Sequence, residues 1–143
     1  MPKNILIRNK LAPGDIVMLT AAIRDISKQY PGEFKFKLST VAQELWRNNP
    51  DVVTEFDSSP VRNLTAGYTA AIQRSNQRVS HFSTGFLLDL NTRLGTKAPI
   101  TDIRGAIYMS DAEKMFSQIE RPYWVIVAGG KNDFTAKLWD TAR

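Results

Sequence analysis

Ile5-Leu6-Ile7 is a continuous apolar run, and beyond Asp15 the pattern changes to apolar positions three and four apart at Ile16, Leu19, Ile23, Ile26 and Tyr30. The run predicts a strand buried on both faces of a parallel sheet. The wider spacing predicts a helix from Asp15 with one apolar face, stopped by Tyr30-Pro31-Gly32. Phe34, Phe36 and Leu38 alternate with Lys35 and Lys37, the signature of a strand with one wetter face. Val41 to Asn48 reads as a short helix with Leu45 and Trp46 inward, ended by Asn49-Pro50. Val52-Val53-Thr54-Glu55-Phe56 reads as a third strand. Strand, helix, strand, helix, strand is half of a doubly wound sheet. The expected fold class is therefore α/β, a Rossmann-like parallel sheet with flanking helices.

The second half is less regular. Asp57 to Gly67 is turn-rich, Tyr68 to Ile72 reads as a fourth strand, and Gln73 to Ser80 is polar without a clear period. Phe82, Phe86, Leu90 and Leu94 recur every four residues, a helix that Gly95 caps. Thr96 to Asp102 reads as a connection and Ile103 to Met109 as a strand. Ser110 with Glu113 forms a capping-box pattern that opens a short helix, broken at Glu120-Arg121-Pro122. Tyr123-Trp124-Val125-Ile126-Val127-Ala128 is a second fully buried strand signal, running into Gly129-Gly130-Lys131-Asn132-Asp133 and then Phe134 to Trp139. No fixed-period repeat or low-complexity segment interrupts the chain.

Composition narrows the choices. With 143 residues, 43% of them hydrophobic, the chain can build one core but not two full domains. The absence of cysteine excludes disulfides and thiolate metal sites, and a single histidine excludes a histidine-rich metal centre, so no metal is expected. No apolar run approaches the roughly 20 residues of a membrane span, and Met1-Pro2-Lys3-Asn4 leads directly into a strand without a signal-peptide core. The expected location is the cytoplasm. A net charge of +5 suits either an anionic partner or plain solubility. The lysines and arginines are dispersed, with no basic block or recognised module, so no nucleic-acid partner is expected.

Asp15 is the leading candidate for chemistry. In an open α/β sheet, the end of the first strand and the start of the next helix frame a ligand site. One reading makes Asp15 the N-cap of that helix; the other makes it a general base that takes a proton from an acceptor hydroxyl. The readings compete, because cap hydrogen bonds weaken a carboxylate as a base. The loop Lys10-Leu11-Ala12-Pro13-Gly14 carries neither a Walker nor a dinucleotide glycine pattern. Gly129, Gly130 and Lys131, with Asn132, Thr135 and Lys137, form either a phosphate cradle or a strand-ending turn with solvated lysines. His81 opens a helix, as a structural group or as a hydrogen-bonding partner for a sugar hydroxyl. Trp46, Trp124 and Trp139 read as core or interface residues.

Ile5-Leu6-Ile7-Arg8, Gly14-Asp15-Ile16-Val17-Met18-Leu19-Thr20-Ala21-Ala22-Ile23-Arg24 and Tyr30-Pro31 resemble the amino-terminal signature of glycosyltransferase family nine, the ADP-heptose:lipopolysaccharide heptosyltransferases and their relatives. Glu44 to Val52 is similar to the family's second-helix and third-strand region. Trp124 to Lys131, with Lys137-Leu138-Trp139, looks like the start of its donor-binding domain. The resemblance implies the amino-terminal half of a GT-B architecture. Residues 1–109 would be an acceptor-binding domain, and 110–143 a linker helix and the truncated start of a nucleotide-sugar-binding domain.

The implied chemistry is inverting and metal-independent transfer from a nucleotide sugar such as ADP-heptose to a glycan or lipopolysaccharide-core acceptor, with no separate cofactor. Asp15 matches the catalytic aspartate. Lys10, Gly14 and His81 fall to the acceptor side. Gly129, Gly130, Lys131, Asn132, Thr135 and Lys137 fall to the donor phosphates. Family members continue well past Arg143, so the resemblance also implies a fragment, or a missing half supplied from elsewhere, inactive by itself. Peripheral contact with the inner membrane and a homodimer through the terminal strand are further expectations. The competing reading is a non-catalytic α/β module that binds an anionic ligand or dimerises.

Overall fold

Strand β1 (Lys3–Asn9) is the centre of a three-stranded parallel sheet with order β2-β1-β3, where β2 is Phe34–Thr40 and β3 is Val61–Thr65. A computed structural model describes residues 1–69, 71, 73, 77, 79–116, 122 and 124. The chain divides into two units, Met1–Ser110 and Asp111–Arg143. In the second, the described residues hold a short helix, α3 (Asp111–Met115). No helix among the described residues is long and apolar enough to cross a membrane.

Register sets Ile5 opposite Phe36, and Ile7 opposite both Leu38 and Leu64. These side chains share one sheet face and are buried. Two helices cover that face and pack on each other: α1 (Pro13–Gln29) through Ile16, Leu19, Ile23 and Ile26, and α2 (Phe82–Leu94) through Phe86, Leu87, Leu90 and Leu94. Both follow from their apolar spacing. Gly95 ends α2 at φ 73°, a left-handed conformation that costs glycine least. The fold is the expected α/β class, an open parallel sheet with flanking helices.

Several local expectations change. Val52–Phe56 is not the third strand: Val52 makes a single bridge to Phe36, and Val53 N–H donates to Phe36 O at 2.7 Å. The chain then leaves the edge of β2 and crosses the opposite sheet face. There Glu55 pairs with Lys37, and Asp57 pairs with Lys35 and accepts from Asn4 Nδ2 at 2.9 Å. The third strand is Val61–Thr65, within the stretch expected to be turns. Only Leu64 of β3 is buried, so a solvated edge strand left no apolar pattern to read.

For the same reason β1 is not covered on both faces. Leu6 stays half-buried and Arg8 exposed, because a polar crossing replaces a helix on their side. The helix expected over Val41 to Asn48 is a 3-10 turn, Gln43–Trp46, with Trp46 buried and its Nε1 donating to Thr40 Oγ1 at 3.2 Å.

The described residues of 68–72 form no strand, and Ala70 lies outside those described. Thr69 and Ala71 are helical, and Tyr68 and Ala71, three apart, both face Gly85 of α2. Ile72 itself lies outside the described residues. Ile103–Met109 has no strand partner either. Side chains of the helices hold its backbone: Ser83 Oγ donates to Ile103 O at 2.6 Å, and Ala106 N–H donates to Thr20 Oγ1 at 2.8 Å. It is a strap along α1, with Ile103, Ile107 and Met109 exposed. Of the expected strand Tyr123–Ala128, Trp124 is irregular and exposed rather than buried; the other residues lie outside those described.

Candidate ligand site at the carboxyl edge of the sheet

The order β2-β1-β3 makes the carboxyl ends of β1 and β3 a topological switch point: the chain leaves β1 toward one neighbour, while the other arrives later from the opposite side. In open α/β sheets such a switch point is where ligands bind. Asn9, the last residue of β1, ties the segments after the two strands together. Its Nδ2 donates to Ala66 O at 2.8 Å, and its Oδ1 accepts from Leu11 N at 2.8 Å, with the side chain buried. Gly67 N–H is held at 2.9 Å by Asp89 of α2, a carboxylate also paired with Arg93.

Asp15 is not the helix cap. Pro13 occupies the first turn, where its missing N–H is no loss, and moves the cap back to Ala12, whose extended backbone (φ −61°, ψ 155°) leads into α1. Asp15 therefore lies inside the first turn, half-buried, where its negative charge suits the amino end of the helix. Burial first, then the nearby Asp15 carboxylate, push the Tyr68 phenol above its ordinary value, so this hydroxyl stays protonated at neutral pH.

The Tyr68 ring stands 4.8 Å from Phe82 and 5.0 Å, edge to face, from Phe86, both on α2. His81 is the N-cap of that helix, and its Nδ1 accepts from Ser83 N–H at 3.2 Å. That bond requires an unprotonated Nδ1 and leaves Nε2 as the ring's remaining polar atom. Lys10 and Gly14 are exposed on the β1–α1 loop. A Cβ at Gly14 would meet nothing within 4 Å, so no close protein approach requires that glycine.

The structure thus brings Asp15 near Tyr68 and places His81 beside Phe82, whose ring lies tilted against that of Tyr68. Gly129, Gly130, Lys131, Asn132, Thr135 and Lys137 lie outside the described residues. No group of acidic or histidine side chains suited to a metal ion occurs among the described residues. Two cavities of about 280 and 610 Å³ lie elsewhere, beside Trp46 and at the amino end of β1, and neither is lined by Asp15, Tyr68 or His81.

Compared with family models, curated proteins and solved structures, the chain matches none.

Tyr68 and Asn9 are the site residues that sequence reasoning missed. The i, i+3 spacing of Tyr68 and Ala71 is the available signal for a helical turn facing a neighbour. Its consequence is testable at Gly85, where a Cβ would fall 2.6 Å from Ala71 Cβ and 2.8 Å from Tyr68 Cβ. Gly85→Ala is expected to force α2 away from this turn at a cost of about 1–3 kcal/mol. In urea denaturation the midpoint should fall. The Tyr68 phenol, drawn away from Asp15, should titrate closer to its ordinary value by ultraviolet absorbance.

Proposed function

We propose that this chain carries the acceptor-binding domain of a sugar transferase of the heptosyltransferase kind, in which Asp15 takes the proton from an acceptor hydroxyl. The observation that carries the reading is a half-buried carboxylate at the switch point of an open parallel sheet, in the first turn of the helix that follows β1 and not at its cap. A carboxylate so placed can meet a sugar hydroxyl, and burial under a bound sugar strengthens it as a base.

Lys10, Gly14 and Nε2 of His81 offer further groups to the acceptor. The donor phosphates fall to Gly129, Gly130, Lys131, Asn132, Thr135 and Lys137, where a cation and backbone amides would stabilise the departing diphosphate. The donor in this reading is a nucleotide sugar such as ADP-heptose. The acceptor is a glycan or lipopolysaccharide core at the cytoplasmic side of the inner membrane.

The test is titration of the 15N-labelled full chain with ADP-heptose and with a lipopolysaccharide-core oligosaccharide. The oligosaccharide should shift the amide signals of Gly14, Asp15 and Gly67, and Asp15→Asn should weaken the response while leaving the fold intact. No response at millimolar oligosaccharide would remove the acceptor reading. Where nucleoside diphosphate release is measurable, Asp15→Asn should slow it on the order of 10²–10⁴-fold, the usual loss for a general base.

A further inference from the structure

A backbone N–H and C=O that face out of a sheet need a partner, and water serves only where water reaches. β2 is one edge of this sheet, and its residues alternately turn their peptide groups toward β1 and away from it. Glu33 O, just before β2, accepts from Lys3 N–H at 2.8 Å, which assigns the odd-numbered residues to β1. The even-numbered residues therefore face outward. Phe36 O accepts there from Val53 N–H at 2.7 Å, and Thr40 N–H donates to Gln43 Oε1 at 3.2 Å. Leu38 lies between these two closures. Val52 makes a single bridge to Phe36 and the chain then departs, so no strand reaches Leu38. Among the described residues neither its N–H nor its C=O has a hydrogen-bond partner, yet Leu38 is 4% exposed. Polar groups left unpaired in so dry a position call for an occupant in front of them.

A cavity of about 280 Å³ opens on this stretch of edge, walled by Leu38 and by the Val53 and Gln43 that close it on either side. Trp46 and Val52 add apolar wall. Trp46 is tied through Nε1 to Thr40 Oγ1 at 3.2 Å, so its part of the wall is preformed. The N–H and C=O of one extended residue point the same way, and their complement is an acceptor beside a donor. An added peptide strand would run into Val53 at one end and Gln43 at the other. The volume, too, is at the small end of ligand sites. Both limits favour a small flat molecule. Nucleobases carry an acceptor and a donor side by side on one edge, and offer a ring face to apolar walls.

We propose that the outer edge of β2 at Leu38 is a nucleobase-binding site, in which the edge of the base exchanges two hydrogen bonds with the Leu38 N–H and C=O and its ring lies in the cavity walled by Trp46, Val52 and Val53. Asp15 does not line this cavity, so the site stands apart from the acceptor reading, and each can fail without the other.

The test titrates the 15N-labelled full chain with adenosine, inosine, cytidine and uridine in turn. At least one nucleoside should shift the Leu38 amide and Trp46 indole N–H signals, with a Kd on the order of 1 mM or below, the range for a small ligand held by few hydrogen bonds. The Gly14 and Asp15 amides should hold their place. Thr54 is exposed and also lines the cavity, so Thr54→Trp fills the space without entering the core. That variant should weaken the response at least about tenfold, while Thr54→Ala, which leaves the space open, should keep it. The remaining amide signals of each variant report that its fold is retained. Silence of the Leu38 amide toward all four nucleosides overturns the proposal, as does a shift that survives Thr54→Trp unweakened. A Leu38 amide that keeps its contact with bound water at saturating nucleoside also overturns it, because hydration alone then fills the edge.

Discussion

Asp25→Ala is expected to lower stability by about 2–3 kcal/mol, the scale of two charge-assisted hydrogen bonds lost from a buried carboxylate, reduced by the relief of its desolvation. Asp25 is 1% exposed, on a helix whose other buried residues are apolar except for Thr20. Its Oδ1 accepts from Thr101 Oγ1 at 2.6 Å and from Arg24 Nε at 3.3 Å, and its Oδ2 accepts from Thr101 N–H at 2.9 Å. Arg24 completes the fastening by donating to the carbonyls of Asp102 and Arg104. These two residues hold the strap against α1. Thr101 is exposed, so water can take over its donors after the substitution. The loss therefore stays near that of the bonds themselves and does not extend to orphaned polar groups. Urea denaturation measures the change, and amide exchange at Thr101 should quicken with it. A loss under about 0.5 kcal/mol, ordinary for a surface change, would mean that the strap is held elsewhere.

Gly105→Ala should cost a similar amount, about 2–3 kcal/mol, by overpacking. A Cβ at this position would lie 2.1 Å from Val17 O and 2.7 Å from Val17 Cγ1. The carbonyl belongs to α1 and cannot swing aside, so the strap must lift. Lifting it breaks the relay in which Ala106 N–H donates to Thr20 Oγ1, which donates in turn to Val17 O at 2.7 Å. Because Asp25 and Gly105 secure one segment, their substitutions should not add. The double variant should lose less than the sum of the two, since a strap already released has little left to lose. Denaturation of all four proteins gives that coupling directly, and strict additivity would show two independent attachments.

The helices and the first two strands were legible because their signals are local. Five apolar positions at helical spacing define α1, and Phe82, Phe86, Leu90, Leu94 and Gly95 define α2 and its end. The alternation of Phe34, Phe36 and Leu38 with lysines marks β2. β3 was not legible, because an edge strand with one buried residue carries almost no apolar period. Val52 and Val53 carried a stronger signal and yet make only one bridge, since what they bury against is the rim of β2. Ile103 to Met109 looked like a strand by composition, but its backbone partners are side chains of Thr20 and Ser83, which no sequence period announces.

The candidate site divides in the same way. Asp15 was singled out from its place after a buried strand, with Pro13 visible beside it, but the choice between cap and first turn was not legible, because it depends on where the backbone turns helical. Tyr68 carried no chemical signature as a lone tyrosine; its place at the site was decided when α2 brought Phe82 and Phe86 against its ring.

By itself the sequence determined that this chain builds an α/β sheet, with a carboxylate near the mouth of its first strand, because strand and helix periods are written in neighbouring residues. Only the tertiary structure decided which segment completes the sheet, which face stays wet and which side chains surround Asp15. Those outcomes come from packing between residues far apart in the chain, where small shapes such as Gly85 and Gly105 set what can touch.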